Sequence, residues 1–297
     1  MTKSKSYWIK RQEQWIKNQD KSDALIVKQL EKQYKKTARE LENEIAGYFN
    51  RYGKDDVIQY REMLKDLSKK DRELLYQDME AFAKKYPDYE HLMPVRESVY
   101  KLNRLQGLHY STELKLLEMG AIEQEVFEKH LIATYGKNYE ALMKELGIGF
   151  TFNSTLDQVA IQTAFTKWVD GKNFSDRIWD NKEKLMKYMQ EDLKNGLIRG
   201  DNYDKMTKKL VDRMDVGAYD ARRLVWTESS FVLNQAHTHP YIDVGVVEYE
   251  LNAMMDSRTS EICRKLDGEK FRFDELEVGI NFPPFHAFCR TTFISVG

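Results

Sequence analysis

The residues best suited to chemistry lie near the C-terminal end of the chain. Cys263, His286 and Cys289 are soft ligands of the kind that zinc takes, and the last two are three positions apart. A fourth ligand would come from one of three side chains: Asp256, His237 or His239. The same residues also fit two small buried cysteines beside a histidine that orders a loop. A zinc site and this plainer arrangement both remain open as interpretations.

Two kinds of catalysis could use the same residues. A metal-dependent hydrolase or nuclease would hold its metal with Asp256, Cys263, His286 and Cys289. A cysteine nucleophile would instead be activated by His286. The sequence marks no general base for the first mechanism and no orienting Asn or Asp for the second. Neither catalytic interpretation is therefore favoured over a non-enzymatic role. The sequence also has no glycine-rich phosphate-binding motif, so use of a nucleotide cofactor is unsupported.

Turn-forming residues flank the cysteines. Asp267-Gly268 precedes a strand-like run, where glycine allows a tight turn. Pro283-Pro284 predicts an extended segment that presents His286 and Cys289, because proline fixes its own φ angle and restricts the residue before it.

An upstream helix is predicted to carry the motif Arg222-Arg223-Leu224-Val225-Trp226-Thr227-Glu228. An Arg–Glu pair here is interpreted as an ion pair that holds the helix to the C-terminal part of the chain. A catalytic role for Glu228 is the alternative.

The N-terminal segment is locally basic. The first 40 residues contain 11 Lys or Arg and 5 Asp or Glu, with Tyr7, Trp8 and Trp15 interleaved. Such a segment could contact phosphates and stack on bases, lie in the groove of a partner protein, or form an ordinary charged surface helix. The candidate contact residues are Lys10, Arg11, Lys17, Lys35 and Lys36.

These residues must be positioned by a mostly helical chain of 297 residues with 47 basic and 48 acidic side chains. Apolar spacing of three and four predicts a helix through 30–48 that stops at Gly53. Further helices are predicted at about 57–86, 95–118, 121–134, 138–146, 157–169, 174–197, 201–214 and 218–235. Strands are predicted at 244–251, 270–273 and 291–294.

The predicted fold class is therefore α+β and mostly α-helical. Two regions are expected: a helical N-terminal region at 1–150, and a domain at 151–297 with helices through 156–235 and a small α+β module at 236–297. The sequence has only two cysteines, which suits a reducing compartment. No stretch approaches the roughly 20 apolar residues that a membrane span needs, so no membrane partner is expected.

Four segments in order resemble the phage head-morphogenesis, or phage Mu F-like minor head protein, family. They run from Trp168 to Trp179, from Arg223 to Glu228, from Asp256 to Gly268, and from Asn281 to Arg290. Together they span about residues 150–294. The motif residues include Thr227, Glu228, Asp256, Arg258, Thr259, Asp267, Gly268, Pro283, Pro284 and Arg290.

The resemblance implies a structural minor capsid protein of a tailed bacteriophage that acts in procapsid assembly. The implied partners are the portal protein, the scaffold protein and packaged DNA bound without sequence preference. The implied location is the capsid interior, with the host cytoplasm during assembly. Many members of the family have further cysteines where this sequence has Ser260 and Thr291, which leaves fewer thiols for a metal.

Overall fold

The computed structural model describes residues 3–148 and 154–296, and it is mostly helical. Its α-helices are α1 (Lys5–Tyr52), α2 (Tyr60–Met63), α3 (Lys69–Lys85), α4 (Arg104–Leu146), α5 (Ser154–Ala164), α6 (Phe174–Arg199), α7 (Tyr203–Asp243) and α8 (Glu261–Leu266). Short 3₁₀ helices cover Pro87–Leu92, Arg96–Lys101 and Phe273–Glu275. The strands are β1 (Glu248–Ala253), β2 (Lys270–Arg272) and β3 (Thr291–Val296). The predicted mostly helical α+β class is confirmed.

The predicted breaks near Gly120 and Gly217 are wrong, because α4 and α7 each run through their glycine without interruption. A Cβ atom at Gly120 would lie 2.8 Å from the Trp179 ring, and one at Gly217 would lie 2.8 Å from the Tyr34 ring. These glycines therefore allow close packing of an aromatic ring against a helix. Helix α7 also continues past residue 235 to Asp243, with Pro240 inside it.

The helix predicted at 57–86 is divided in the structure. The four-residue α2 ends at Met63, and α3 begins only after Ser68, whose hydroxyl accepts a hydrogen bond from the Asp71 backbone N–H. This is a standard helix N-cap, since it satisfies one of the backbone donors that have no partner within the helix. The segment 95–103, predicted to be α-helical, instead contains a 3₁₀ helix and joins α4 at Arg104.

The three strands form one antiparallel sheet in the order β2-β1-β3. Tyr249 of β1 pairs with Phe271 of β2, and Leu251 of β1 pairs with Phe293 of β3. The first strand begins at Glu248 rather than at residue 244, because α7 reaches Asp243 and the chain then turns through Gly245 at a φ of 80°. All three predicted strands are present, with shifted ends.

The chain divides into two compact units, and each is assembled from separate stretches of sequence. The first unit comprises Met1–Lys28, Val126–Arg177 and Ala221–Gly297. The second unit comprises Gln29–Glu125 and Ile178–Asp220. The domain boundary predicted at residue 150 lies outside the described residues, and it stays a prediction.

The core of the first unit joins its helices to the sheet. Trp8 and Trp15 of α1 are buried with Leu142 of α4 against Tyr249 and Phe293 of the sheet. This burial argues against the alternative in which the N-terminal tryptophans stack on bases, because their rings are enclosed by the protein's own side chains.

The second unit contains a buried charged group. The Lys182 ammonium lies 2.6 Å from the Glu123 carboxylate, which also accepts a hydrogen bond of 2.9 Å from the Tyr34 hydroxyl. All three side chains are buried. The Lys182 and Glu123 charges compensate each other there, which a buried charge requires. Among the described residues, no helix is both long and apolar enough to span a membrane.

Candidate functional site

The three soft ligands predicted from the sequence meet in the first unit. Cys263 lies in the first turn of α8, where its backbone N–H donates to the hydroxyl of the N-cap residue Ser260 at 3.3 Å. His286 and Cys289 lie in the turn that leads into β3, and the Cys289 backbone N–H donates to the His286 carbonyl at 3.2 Å. Helix α8 and this turn together bring the cluster into one place, with one ligand atom of each residue within 4.8 Å of the others.

The sulfur and imidazole atoms are in direct contact. The Cys263 sulfur lies 3.7 Å from the Cys289 sulfur and 3.1 Å from His286 Nε2. The Ser260 hydroxyl lies 2.7 Å from the same nitrogen. Hydrogen bonds from Cys289 and then His286 lower the pKa of Cys263, whereas the bond to Cys263 and burial raise the pKa of Cys289. The bond to Cys263 also raises the pKa of His286.

Asp256 does not join this cluster. Its carboxylate accepts a hydrogen bond of 2.6 Å from the Arg290 guanidinium and one of 2.8 Å from the Arg258 backbone N–H. The bond from Arg290 is the main reason why the pKa of Asp256 lies far below its usual value. Asp256 is therefore engaged as an ion-pair partner, contrary to its predicted role as a metal ligand.

The two histidines considered as alternative fourth ligands lie elsewhere. His237 is fully buried, with its ring centroid 4.7 Å from that of Trp15. His239 contacts the Tyr135 hydroxyl through its Nδ1 atom. Burial lowers the pKa of both imidazoles. Both rings are packed among helices, so neither completes the cluster.

The loop before α8 is held by the motif residues themselves. The Asp256 backbone N–H donates to the Thr259 hydroxyl at 2.8 Å, and that hydroxyl donates to the Met254 carbonyl at 2.6 Å. Arg264 of α8 donates to the carbonyl of Asp256 at 2.8 Å. The motif around Asp256 thus fixes a compact turn, with Arg290 fastening it to the segment before β3.

The Asp267-Gly268 turn connects α8 to the sheet as predicted. The Asp267 carboxylate accepts from the Ala253 backbone N–H at 2.8 Å, at the end of β1. Gly268 adopts a φ of 81°, a conformation that favours glycine, and its N–H donates to the Leu251 carbonyl at 2.9 Å. Pro283 and Pro284 are buried, and the peptide bond between them is cis.

The motif helix α7 is fastened by an ion pair, but with a different arginine from the predicted one. Glu228 accepts from Arg177 of α6 at 2.8 Å and from the Trp168 indole N–H at 2.9 Å. The arginine partner of Glu228 was predicted within the motif 222–228. Burial outweighs the nearby Arg177 and raises the pKa of Glu228 to about 7. Thr227 accepts a hydrogen bond of 3.3 Å from the Phe288 backbone N–H, next to Cys289.

The predicted N-terminal contact residues differ in exposure and in whether they form ion pairs. Arg11 forms an ion pair with Glu145 and is engaged within the first unit. Lys17 lies 3.7 Å from Glu13, and Lys36 lies 3.6 Å from Glu40, both on the exposed surface of α1. Lys10 and Lys35 are also exposed.

A second polar cluster was missed by the sequence reasoning. His130 Nε2 lies 2.7 Å from the Asp23 carboxylate and 3.1 Å from the Ser229 hydroxyl, and all three side chains are buried. A catalytic Ser-His-Asp relay uses opposite nitrogens of the imidazole, whereas one nitrogen makes both contacts here. The three residues are far apart in sequence, so no local pattern could have revealed them.

A serine three positions before Cys263 is a possible helix N-cap, a signal that could have placed it beside the cluster.

Comparison with known proteins supports the sequence resemblance. Residues 187–294 match the family described as Phage Mu protein F like protein. No curated protein and no solved structure matches the chain significantly. The matched segment includes α7, the strands β1 and β2, the first four residues of β3, and the Cys–His cluster.

Proposed function

We propose, from the match of residues 187–294 to the phage Mu F-like family, that the chain is a structural minor head protein of a tailed bacteriophage. It acts during procapsid assembly at the portal, lies inside the capsid and contacts packaged DNA. The family match is the observation that carries this proposal, and it does so by association.

The contacts of the motif residues support a structural role. Glu228 binds Arg177 and Trp168, and Asp256 binds Arg290. Each carboxylate is thus used to fasten one segment of the first unit to another. A carboxylate that is already paired with a guanidinium is a poor candidate for a general base or a metal ligand, which weakens the hydrolase alternative.

Assembly of procapsids with and without the portal protein tests the proposal. The chain is co-expressed with the major capsid and scaffold proteins of its phage, and procapsids are separated by sedimentation. We expect the chain to co-sediment with procapsids that contain the portal and to be absent from procapsids made without it. Equal incorporation in both preparations would argue against portal recruitment. Absence from both would contradict the structural head role.

An exposed row of lysines supports DNA contact by the first unit. Lys10, Lys17, Lys21 and Lys28 of α1 are all exposed. Their spacing of 7, 4 and 7 residues places them within about 40° of one helix face over about 27 Å, at 3.6 residues and 5.4 Å per turn. Such a row can neutralise successive phosphates without reading the sequence.

Substitution of the four lysines by glutamine tests this contact. Each phosphate that the variant no longer neutralises reduces the slope of log affinity against log salt by about 0.9, so we expect weaker binding and a slope that is smaller by up to about 4. The matched control replaces the exposed Lys137, Lys144, Lys265 and Lys270 of the same unit. Both proteins are titrated with duplex DNA at several salt concentrations. If the two variants bind alike, the row on α1 is not the DNA contact.

Substitution is preferable to deletion of the N-terminal segment. Trp8 and Trp15 of the same helix are part of the core of the first unit. Removing the segment would therefore disturb the fold together with the charge.

A further inference from the structure

We propose that Cys263, His286 and Cys289 bind one Zn²⁺ ion, with an oxygen ligand from water beside the Ser260 hydroxyl in the fourth position. The ion would be structural, because the two cysteine side chains are only 3% and 2% exposed. It would join α8 to the turn before β3. This proposal does not depend on the proposed role in head assembly.

The separation of the ligand atoms fits a tetrahedral zinc ion. Two thiolates at a Zn–S distance of about 2.3 Å are about 3.8 Å apart in tetrahedral geometry. The Cys263 and Cys289 sulfurs are 3.7 Å apart. A thiolate and an imidazole nitrogen should be separated by about 3.6 Å, and the Cys263 sulfur and His286 Nε2 are 3.1 Å apart. The Cys289 sulfur and His286 lie within 4.8 Å of each other, so side-chain movements on the order of 1 Å would give the expected geometry.

The surroundings of the histidine orient it for metal binding. His286 Nδ1 lies 2.7 Å from the Ala287 carbonyl, which can only accept a hydrogen bond. Nδ1 therefore carries a proton, and a metal ion would displace any proton on Nε2 and take its lone pair. This is the arrangement found in metal sites, where a carbonyl behind the imidazole fixes its tautomer and orientation.

The two sulfur atoms are enclosed by the protein. Cys263 and Cys289 are both buried, and zinc binding would release their thiol protons. The non-sulfur surroundings are apolar, since Ala253 and Phe285 pack against the two cysteines. The two sulfurs are therefore shielded from solvent, and the position left for water lies on the half-buried side of His286 and Ser260.

A substitution at Ser260 tests the proposal, because it should increase the affinity for the metal. Its hydroxyl lies 2.7 Å from His286 Nε2, so a cysteine at this position would supply a fourth soft ligand. The matched control is Ser257→Cys, which adds a thiol on the exposed side of the same loop. Four soft ligands should bind zinc more tightly than three, by on the order of tenfold.

The experiment titrates the full chain with Co²⁺, whose thiolate complexes absorb light. The protein is kept reduced, stripped of metal with a chelator and checked for folding by circular dichroism. We expect one Co²⁺ per chain with thiolate-to-cobalt absorption, displaced by Zn²⁺. Cys263→Ser and Cys289→Ser, each with one thiolate left, should bind Co²⁺ more weakly and give less of this absorption. Ser260→Cys should bind on the order of tenfold more tightly than the parent, and Ser257→Cys should not.

Two results would overturn the proposal. One is a folded, reduced parent chain that gives no thiolate–cobalt absorption, together with a Ser260→Cys variant that binds no better than Ser257→Cys. The other is a Cys263–Cys289 disulfide in the native protein with no bound metal, which would make the pair a redox site. Neither result would affect the procapsid experiment, so failure of the zinc site is distinguishable from failure of the proposed function.

Discussion

Glu228 is the residue whose ionisation should be visible in the stability of the protein. Burial raises its pKa from 4.5 to about 7. Between these two pH values the folded chain holds a proton that the unfolded chain has released, so the free energy of unfolding falls as pH rises through this window. At 1.36 kcal/mol per pKa unit, the loss amounts to about 3 kcal/mol.

The variant Glu228→Gln cannot titrate, and its amide oxygen can still accept the hydrogen bond from Trp168. We therefore expect the variant to lack the decrease in stability that the parent shows between about pH 4.5 and 7. Urea unfolding of both proteins across this range measures the difference. The control is Glu261→Gln, on an exposed side chain of α8. A parent–variant difference that does not change with pH would mean that Arg177 keeps Glu228 ionised throughout.

Residue types predicted the Cys–His cluster of the candidate site better than the ion pairs around it. Cysteine and histidine are uncommon enough here that Cys263, His286 and Cys289 stood out as a group before any contact was known. The partners of Asp256 and Glu228 did not stand out, because arginines are numerous and an ion pair depends on three-dimensional position. Arg290 and Arg177 could be identified only once the fold placed them.

At the scale of elements, Gly217 shows why a glycine can serve packing within a helix. A Cβ atom there would lie 2.8 Å from Tyr34 and 3.1 Å from Leu185. We expect Gly217→Ala to destabilise the second unit, because overpacking costs about 1–3 kcal/mol and exceeds the gain in helix propensity of about 1 kcal/mol. Thermal or urea unfolding measures the change.

The matched control is Gly47→Ala, which lies in the part of α1 that belongs to the second unit. A Cβ atom at Gly47 would meet only the flexible end of Arg51, at 3.2 Å. The side chain can move away, so we expect a stabilisation of up to about 1 kcal/mol. If both substitutions stabilise the protein equally, the contact with Tyr34 does not constrain position 217.

Helical periodicity predicted where helices exist, and it failed mainly at their interruptions. The apolar spacing that ends at Gly53 matches the end of α1 at Tyr52. Gly120 and Gly217 carry the same sequence signal as Gly53, yet they lie inside helices. Some glycines end a helix, and others make room for an aromatic ring within one. The two kinds differ in their tertiary contacts, which a single sequence does not reveal.

At the scale of the whole molecule, the first unit depends on residues far apart in sequence. Its core contains Trp8 and Trp15 near one end of the chain and Phe293 near the other, with Leu142 from the middle. The family match covers only 187–294, so part of this core lies outside the matched segment. No local pattern indicated that N-terminal tryptophans pack against a C-terminal sheet, because each tryptophan fits an amphipathic surface helix equally well.

This core predicts the behaviour of a fragment cut near the expected domain boundary. A chain of residues 154–297 lacks Trp8, Trp15 and Leu142, which removes part of the core around Tyr241 and Phe293. Loss of one buried tryptophan alone costs about 3–5 kcal/mol, and the total stability of a domain is about 5–15 kcal/mol. We expect the fragment to show no cooperative unfolding by near-UV circular dichroism and to be digested rapidly by trypsin. Co-expression with residues 1–148 should restore a soluble, protease-resistant complex. A fragment that unfolds cooperatively by itself would instead establish 151–297 as an independent domain, with the N-terminal tryptophans as an accessory layer.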